Sequence, residues 1–251
     1  MMLFPAKISR KIDYPMDWKC ISRYQTVQRK LIDILNEFGP TMYGDYLLRI
    51  GPLSQQLDWD KHSLRRELNI LCNAPSESAN LNSYLCNSDY HSLAIQEHGM
   101  DAILALHALD FSSDPHTQLR EFDRVLRSDG YLIMTGFNPT SLSGLAHLSP
   151  WFKQNPLKSA RYFSALRVKD WLSLLNFEVI HTEYLAGHNL LAKGQKDKAL
   201  GRFESLACLR SMYVIIARKR ETPLNLIAPK FAKIKPQLRP AAAHLNTVSR
   251  R

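Results

Sequence analysis

DAILALHALDFSSDPHTQLREFDRVLRSDGYLIMTGFNP, residues 101–139, carries the strongest local pattern in the chain. It opens apolar over 101–106, turns polar with a helical rhythm, and closes on a nearly unbroken apolar run at 131–137. Asp114 stands where a helix N-cap is expected, and Pro115 suits the first helical position. Leu119, Phe122, Val125 and Leu126 share one helical face, while Arg120, Glu121, Asp123, Arg124 and Arg127 fall mainly elsewhere. Asp123 is spaced to pair with Arg127 at i, i+4. Ser128-Asp129-Gly130 predicts the helix stop. The following run has the composition of a strand covered on both faces. A strand, a helix and a strand in this order imply parallel strands joined by a right-handed crossover.

The same grammar extends both ways. Residues 22–38 place Val27, Leu31, Ile34, Leu35 and Phe38 at helical spacing, and Gly39-Pro40 ends the segment. Residues 46–50 predict a short strand halted at Gly51-Pro52. A second strand is expected at 68–72, and a weak third at 84–86 after a loop rich in Ser, Asn and Pro. Downstream, 166–175 predicts an amphipathic helix burying Leu166, Trp171, Leu174 and Leu175, with Asn176 as its stop. Strands are expected at 177–184 and 212–217, with a candidate helix at 198–209 between them. Without a clear crossover there, a closing antiparallel strand is one solution. The sum is an open α/β sheet of about seven strands. Ligands bind such sheets outside the carboxyl ends of the strands. That singles out Gly51, Asn73, His107 and Asn138-Pro139, although a turn glycine, a satisfied buried histidine and ordinary turn chemistry explain three of these equally.

Composition narrows the classes. The 251 residues are 45% hydrophobic, enough for a sizeable core. No run reaches the roughly 18 apolar residues of a membrane span, and the first fifteen residues lack the apolar centre of a signal peptide. Cys20, Cys72, Cys86 and Cys208 are scattered with no CxxC pair, which points to reduced thiols in the cytoplasm. The net charge of +10 is concentrated at the end: residues 219–251 hold eight Lys or Arg against the one acid Glu221. With four prolines and little periodicity, that segment is expected to be a disordered tail, capable of loose contact with nucleic acid or another acidic surface. The expected organisation is an N-terminal helical extension over 1–43, a central domain over 44–218 and the tail over 219–251.

Three stretches resemble the class I S-adenosylmethionine-dependent methyltransferases of the type 11 branch. SDYHSLAI, residues 88–95, is similar to that family's G-D-x-x-x-L-P-F segment, with Ala94 at the proline. DAILALHALDF, 101–111, resembles its fourth strand and the following turn. DPHTQLREFDRVLRSDGYLIMTGFNP, 114–139, resembles its next helix and fifth strand. A small bacterial subgroup also ends this strand in GFNP followed by S-x-x-G, here Gly136–Pro139 and Ser141–Gly144. The resemblance implies a Rossmann-like class I methyltransferase fold, mostly parallel with a reversed final strand and helices on both faces. It implies S-adenosylmethionine as cofactor. Gly51 would let the backbone approach the amino-acid half of that cofactor, Asp89 would accept from the adenine amino group with Tyr90 beside it, and Leu106 and His107 would line the methionine end. The family's E/D-x-G-x-G-x-G is reduced here to Arg49-Ile50-Gly51-Pro52-Leu53, with one glycine and no acid. The acid that grips the ribose has only Asn73 as a counterpart.

The implied reaction is in-line displacement at an activated methyl group, for which the protein supplies positioning and water exclusion. His107 is the best-placed general base, and the acceptor is unknown. The alternative is a methyltransferase-like binding or regulatory protein that has lost catalysis. Other chemistries lack their signatures: no GxSxG, no GxxxxGK[ST], no GxGxxG opening a helix. His91, His98, His107 and His116 are too widely spaced for a helical metal pair.

Overall fold

A computed structural model describes residues 14–21, 23–71, 90–141, 144, 159–185 and 210–221. The chain divides into two units, Met1–Glu221 and Thr222–Arg251, and every described residue lies in the first. Six strands form one sheet among the described residues: β1 (Tyr43–Ile50), β2 (Ser63–Ile70), β3 (Met100–Leu106), β4 (Leu126–Phe137), β5 (Phe177–Leu185) and β6 (Met212–Lys219), in the order β2-β1-β3-β4-β6-β5. β1, β2, β3 and β4 pair in parallel, whereas β6 runs antiparallel to both β4 and β5. The expected mostly parallel sheet with a reversed closing strand is thus present. The weak strand expected at 84–86, the helix expected at 198–209 and the tail beyond Glu221 lie outside the described residues; Lys219, expected as the first residue of the tail, is instead the buried last residue of β6.

Strand alternation explains why both faces are covered. Leu47, Leu104, Ile133 and Ile216 point into one apolar cluster with Trp18, Val27, Leu31 and Leu35. Their neighbours Leu48, Ile103, Leu132 and Ile215 point into the other, with Leu119, Phe122, Val168 and Leu172. A period of two on a doubly buried strand leaves no polar face, which is why these strands read as continuous apolar runs. Helix α1 (Tyr24–Phe38) buries Val27, Leu31, Ile34 and Leu35, and α2 is the short turn Pro52–Gln55. Helices α3 (Pro115–Val125) and α4 (Ala165–Leu174) supply residues to the second cluster.

Several expectations need correction. β1 and β2 start earlier than predicted because their amino-terminal halves carry exposed polar residues that hide the alternation. Helix α3 has its Asp114 cap, accepting from the Thr117 amide at 3.2 Å, but ends at Val125. Residues 126–130 belong to β4, since Leu126 already pairs with Met100 ahead of a register shift. Arg127 therefore leaves Asp123 and pairs with Asp101 at 2.6 Å, while Asp123 pairs with Lys219 at 3.2 Å. In α4 the buried side is Ala165, Val168, Trp171 and Leu172; Leu166 and Leu174 are exposed. The Ser164 cap sets that phase by accepting from the Arg167 amide. Asn176 follows in the left-handed conformation at φ 59°, a helix stop as expected.

The amino-terminal end of the parallel strands is tied shut. The Asp101 carboxylate accepts from the Asp45 and Tyr46 amides at 2.8 and 3.0 Å and from Arg127. Burial pushes its pKa up, but these donors together hold it below the usual carboxylate value.

Candidate functional site

The opposite end, where β1, β3 and β4 finish, is where polar groups converge. β1 ends at Gly51, whose φ of 83° and ψ of 162° lie in a region open essentially to glycine alone. Its amide continues the β2 pairing by donating to Ile70 at 3.0 Å. Its bare Cα faces the ring of Tyr14: a Cβ there would stand 2.7 Å from the phenol oxygen. The Tyr14 hydroxyl donates to the Leu106 carbonyl at the tip of β3. Its ring meets Phe111 at 5.2 Å and the edge of Tyr90 at 5.9 Å. This strap is stitched to the loop after β1: the Trp18 indole donates to Leu53 O at 2.9 Å, and the Gln56 amide to Met16 O at 2.7 Å. Ser54 completes the cap on β3 by accepting from the Leu106 amide at 2.9 Å.

Arg49 explains the shape of that loop. It stands two residues before Gly51 and is buried. Nη1 donates to the carbonyls of Ser54 and Leu57 at 3.1 and 2.6 Å; Nη2 donates to Trp59 O at 3.1 Å and to Glu67 at 2.8 Å. A carboxylate at this place could only accept, so it would gather amide N–H groups. A guanidinium only donates, and the chain answers by turning three carbonyls inward. The helix after β1 shrinks to four residues as it does so.

Beside Leu106, His107 is fully buried and left-handed at φ 55°. Its amide donates to Thr135 Oγ1 at 3.1 Å. Its Nδ1 lies 2.7 Å from Asp110 Oδ2, an oxygen that also accepts from the Phe137 amide at 3.0 Å. Nε2 has no partner among the described residues. The imidazole lies nearly flat on Phe137 at 4.2 Å, and Tyr162 packs against Phe137 at 5.3 Å. Burial raises the Asp110 carboxyl to about 6, against the opposing pull of His107, the Phe137 amide and Arg161. Burial, reinforced by Asp110, also keeps the Tyr162 and Tyr213 phenols protonated far into the alkaline range. The Arg161 amide donates to Asp110 O at 2.7 Å and its guanidinium to Ser112 O at 3.1 Å.

Four of the five expected site residues, Gly51, Tyr90, Leu106 and His107, therefore gather around one strand end, linked through Tyr14 and the Leu106–His107 step. Asp89 and Asn73 lie outside the described residues. Asn138 serves its turn: its side chain donates to Arg210 O at 2.8 Å and accepts from Thr140, while Ser141 Oγ accepts from the Gly144 amide. The S-x-x-G spacing is the signature of that local cap. Sequence reasoning missed Tyr14, Arg49 and Asp110. Only Asp110 left a signal, three residues beyond His107 and ahead of a predicted helix. Among the described residues no group of three or more His, Cys, Asp or Glu could hold a metal, and no helix is long and apolar enough to cross a membrane.

Comparison with known proteins accords with this geometry. The family described as "Methyltransferase domain" matches residues 63–134, from β2 into β4. The uncharacterized protein YafS of Escherichia coli strain K12 is 34% identical over 238 residues, covering 94% of both chains. The chain belongs to the class I S-adenosylmethionine-dependent methyltransferases. Solved members of similar fold include the methyltransferase bound to the Trm112 activator in Haloferax volcanii, with TM-score 0.56 and 13% identity over 78% of this chain and 91% of that one. An S-adenosylmethionine-dependent methyltransferase from Thermotoga maritima gives 0.53 and 18% over 79% and 93%. The [4+2]-cyclase SpnF gives 0.51 and 19% over 86% and 89%. At these identities the likeness establishes the methyltransferase fold, and a cyclase among the neighbours shows that the fold alone does not fix the reaction.

Proposed function

We propose that this methyltransferase-family chain is an active S-adenosylmethionine-dependent enzyme whose methyl donor sits at the tips of β1 and β3. The observation that carries this reading is the meeting, at one sheet end, of a glycine-only backbone at Gly51, the Leu106 carbonyl and the unpartnered Nε2 of His107. The residues fit the donor in kind. A bare Cα permits close approach, and a carbonyl can accept from an ammonium group. That seat already accommodates a planar group bearing a hydrogen-bond donor, the phenol of Tyr14. Tyr14 must rotate away before the donor can rest on Gly51.

When bound, the donor supplies a methyl group already activated on a sulfonium. Gly51 and Leu106 would hold its amino-acid half, Tyr90 would flank its base, and Asp89, outside the described residues, would accept from the adenine amino group. Phe111, which packs against the Tyr14 ring, would help exclude water from the seat. A methyltransferase-like binding or regulatory protein is the second reading, favoured by Arg49 in place of the acid and by the self-occupied Gly51 cradle. Calorimetric titration of the full chain with S-adenosylmethionine and S-adenosylhomocysteine separates the two. Heat with both, lost in Asp89→Ala, supports the enzyme; no heat with either removes it.

A further inference from the structure

Resting on the methyltransferase reading above, we infer that His107 and Asp110 form a general base for an aromatic hydroxyl, so that the methyl acceptor is a phenol. Asp110 Oδ2 accepts from the Phe137 amide at 3.0 Å and lies 2.7 Å from His107 Nδ1. An ionised carboxylate can only accept, so opposite it the neutral imidazole carries its proton on Nδ1 and a lone pair on Nε2. That Nε2 is buried and has no partner among the described residues. A buried acceptor left unmet is costly, and an entering hydroxyl relieves the cost. The left-handed backbone of His107, at φ 55°, is the kind of strain that clusters at working sites.

The chemistry selects the acceptor. A carboxylic acid arrives ionised, needs no base, and is repelled by Asp110. An amine arrives as a cation, and although it could give a proton to Nε2, its charge is repelled by the sulfonium it must approach. A phenol, with a pKa near ~10, arrives neutral and must lose its proton as it attacks. The wall is aromatic: His107 lies on Phe137, which Phe111 and Tyr162 flank. The charged and titratable neighbours do not compete for the proton, since Tyr162 and Tyr213 stay protonated and Arg161 is a donor. The acceptor's O–H bond breaks and its proton goes to Nε2. The new O–C bond forms at the methyl carbon as the carbon–sulfur bond breaks with its electron pair left on sulfur. The imidazolium rests against the Asp110 carboxylate until solvent takes the proton.

The full chain, S-adenosylmethionine with a labelled methyl group, and 4-substituted phenols from 4-methoxyphenol to 4-nitrophenol test this. O-methylation is expected. His107→Asn, which keeps an N–H toward Asp110, should slow weakly acidic phenols by about 100-fold. The loss should shrink toward none for 4-nitrophenol, which is ionised in mildly alkaline buffer. Asp110→Asn should lower kcat with KM little changed. Nitrogen-15 NMR of the donor-free wild type should show the His107 proton on Nδ1, and Asp110→Asn should move it toward Nε2; this readout survives poor folding of His107→Asn. Donor binding without methylation of any phenol overturns the acceptor assignment and leaves the methyltransferase reading standing. Absence of donor binding removes both. An equal loss across the phenol series, or a wild-type proton on Nε2, overturns the base.

Discussion

The Tyr14 hydroxyl donates to the carbonyl of Leu106, 92 residues away in sequence, and its ring covers the bare Cα of Gly51. A donor bound on Gly51 competes with that side chain. Tyr14→Phe removes one hydrogen bond worth about 1 kcal/mol net, so S-adenosylhomocysteine should bind ~5-fold tighter. Tyr14→Ala should bind tighter still. Calorimetry reads both constants; weaker binding in either variant would make Tyr14 part of the cradle.

Gly51→Ala confronts two obstacles, the backbone at φ 83° and the Tyr14 ring. The backbone alone should cost about 1–3 kcal/mol in urea unfolding. The ring adds to it, and only that second part should vanish in the Gly51→Ala/Tyr14→Ala double variant. Strictly additive single effects would show that the ring yields freely.

Arg49→Met leaves the inward carbonyls of Ser54, Leu57 and Trp59 without their guanidinium and Glu67 without one of its partners. A loss of about 3–5 kcal/mol is expected in chemical denaturation, since each buried carbonyl left without a donor costs about 1–3 kcal/mol. Glu67→Gln should cost well under half of that, because Glu67 is partly solvated and Arg49 keeps its three carbonyls. Similar losses for the two variants would contradict this ordering.

Asp110 sets a pH dependence. Burial raises its carboxyl from 3.8 to about 6, so the native state holds that proton more tightly than the unfolded chain. Its stabilising contribution is full below about pH 4 and falls away as pH rises through 6, by up to about 3 kcal/mol. Asp110→Asn does not titrate. Relative to wild type, the variant should gain stability between about pH 4 and pH 7.5, measured by urea unfolding at both. A gap that is flat, or that moves the other way, would mean that His107 and Arg161 fully offset the burial.

The β3–α3–β4 unit was legible because its signals are local: the Asp114 cap, Pro115, and an apolar strand that needs no partner to be recognised. β2 was misplaced because Arg65, Arg66 and Glu67 break its apolar run, although each sits at an exposed or half-exposed strand position. α4 was placed correctly and turned wrongly, since Leu166 and Leu174 look more suitable for a core than Ala165 does. Gly51 and His107 could be found by the rule that ligands gather at strand tips. Tyr14 could not, because its role arises from a contact across 92 residues. Nor could the purpose of Arg49, since a basic residue in a strand announces nothing about which carbonyls will turn toward it.

That guanidinium has a bearing on descent. Placing an acid at position 49 by a single change would set a carboxylate against the three carbonyl oxygens of Ser54, Leu57 and Trp59. The segment following Gly51 would have to be rebuilt at the same time. Residue and loop depend on each other, so relatives that share one are expected to share the other.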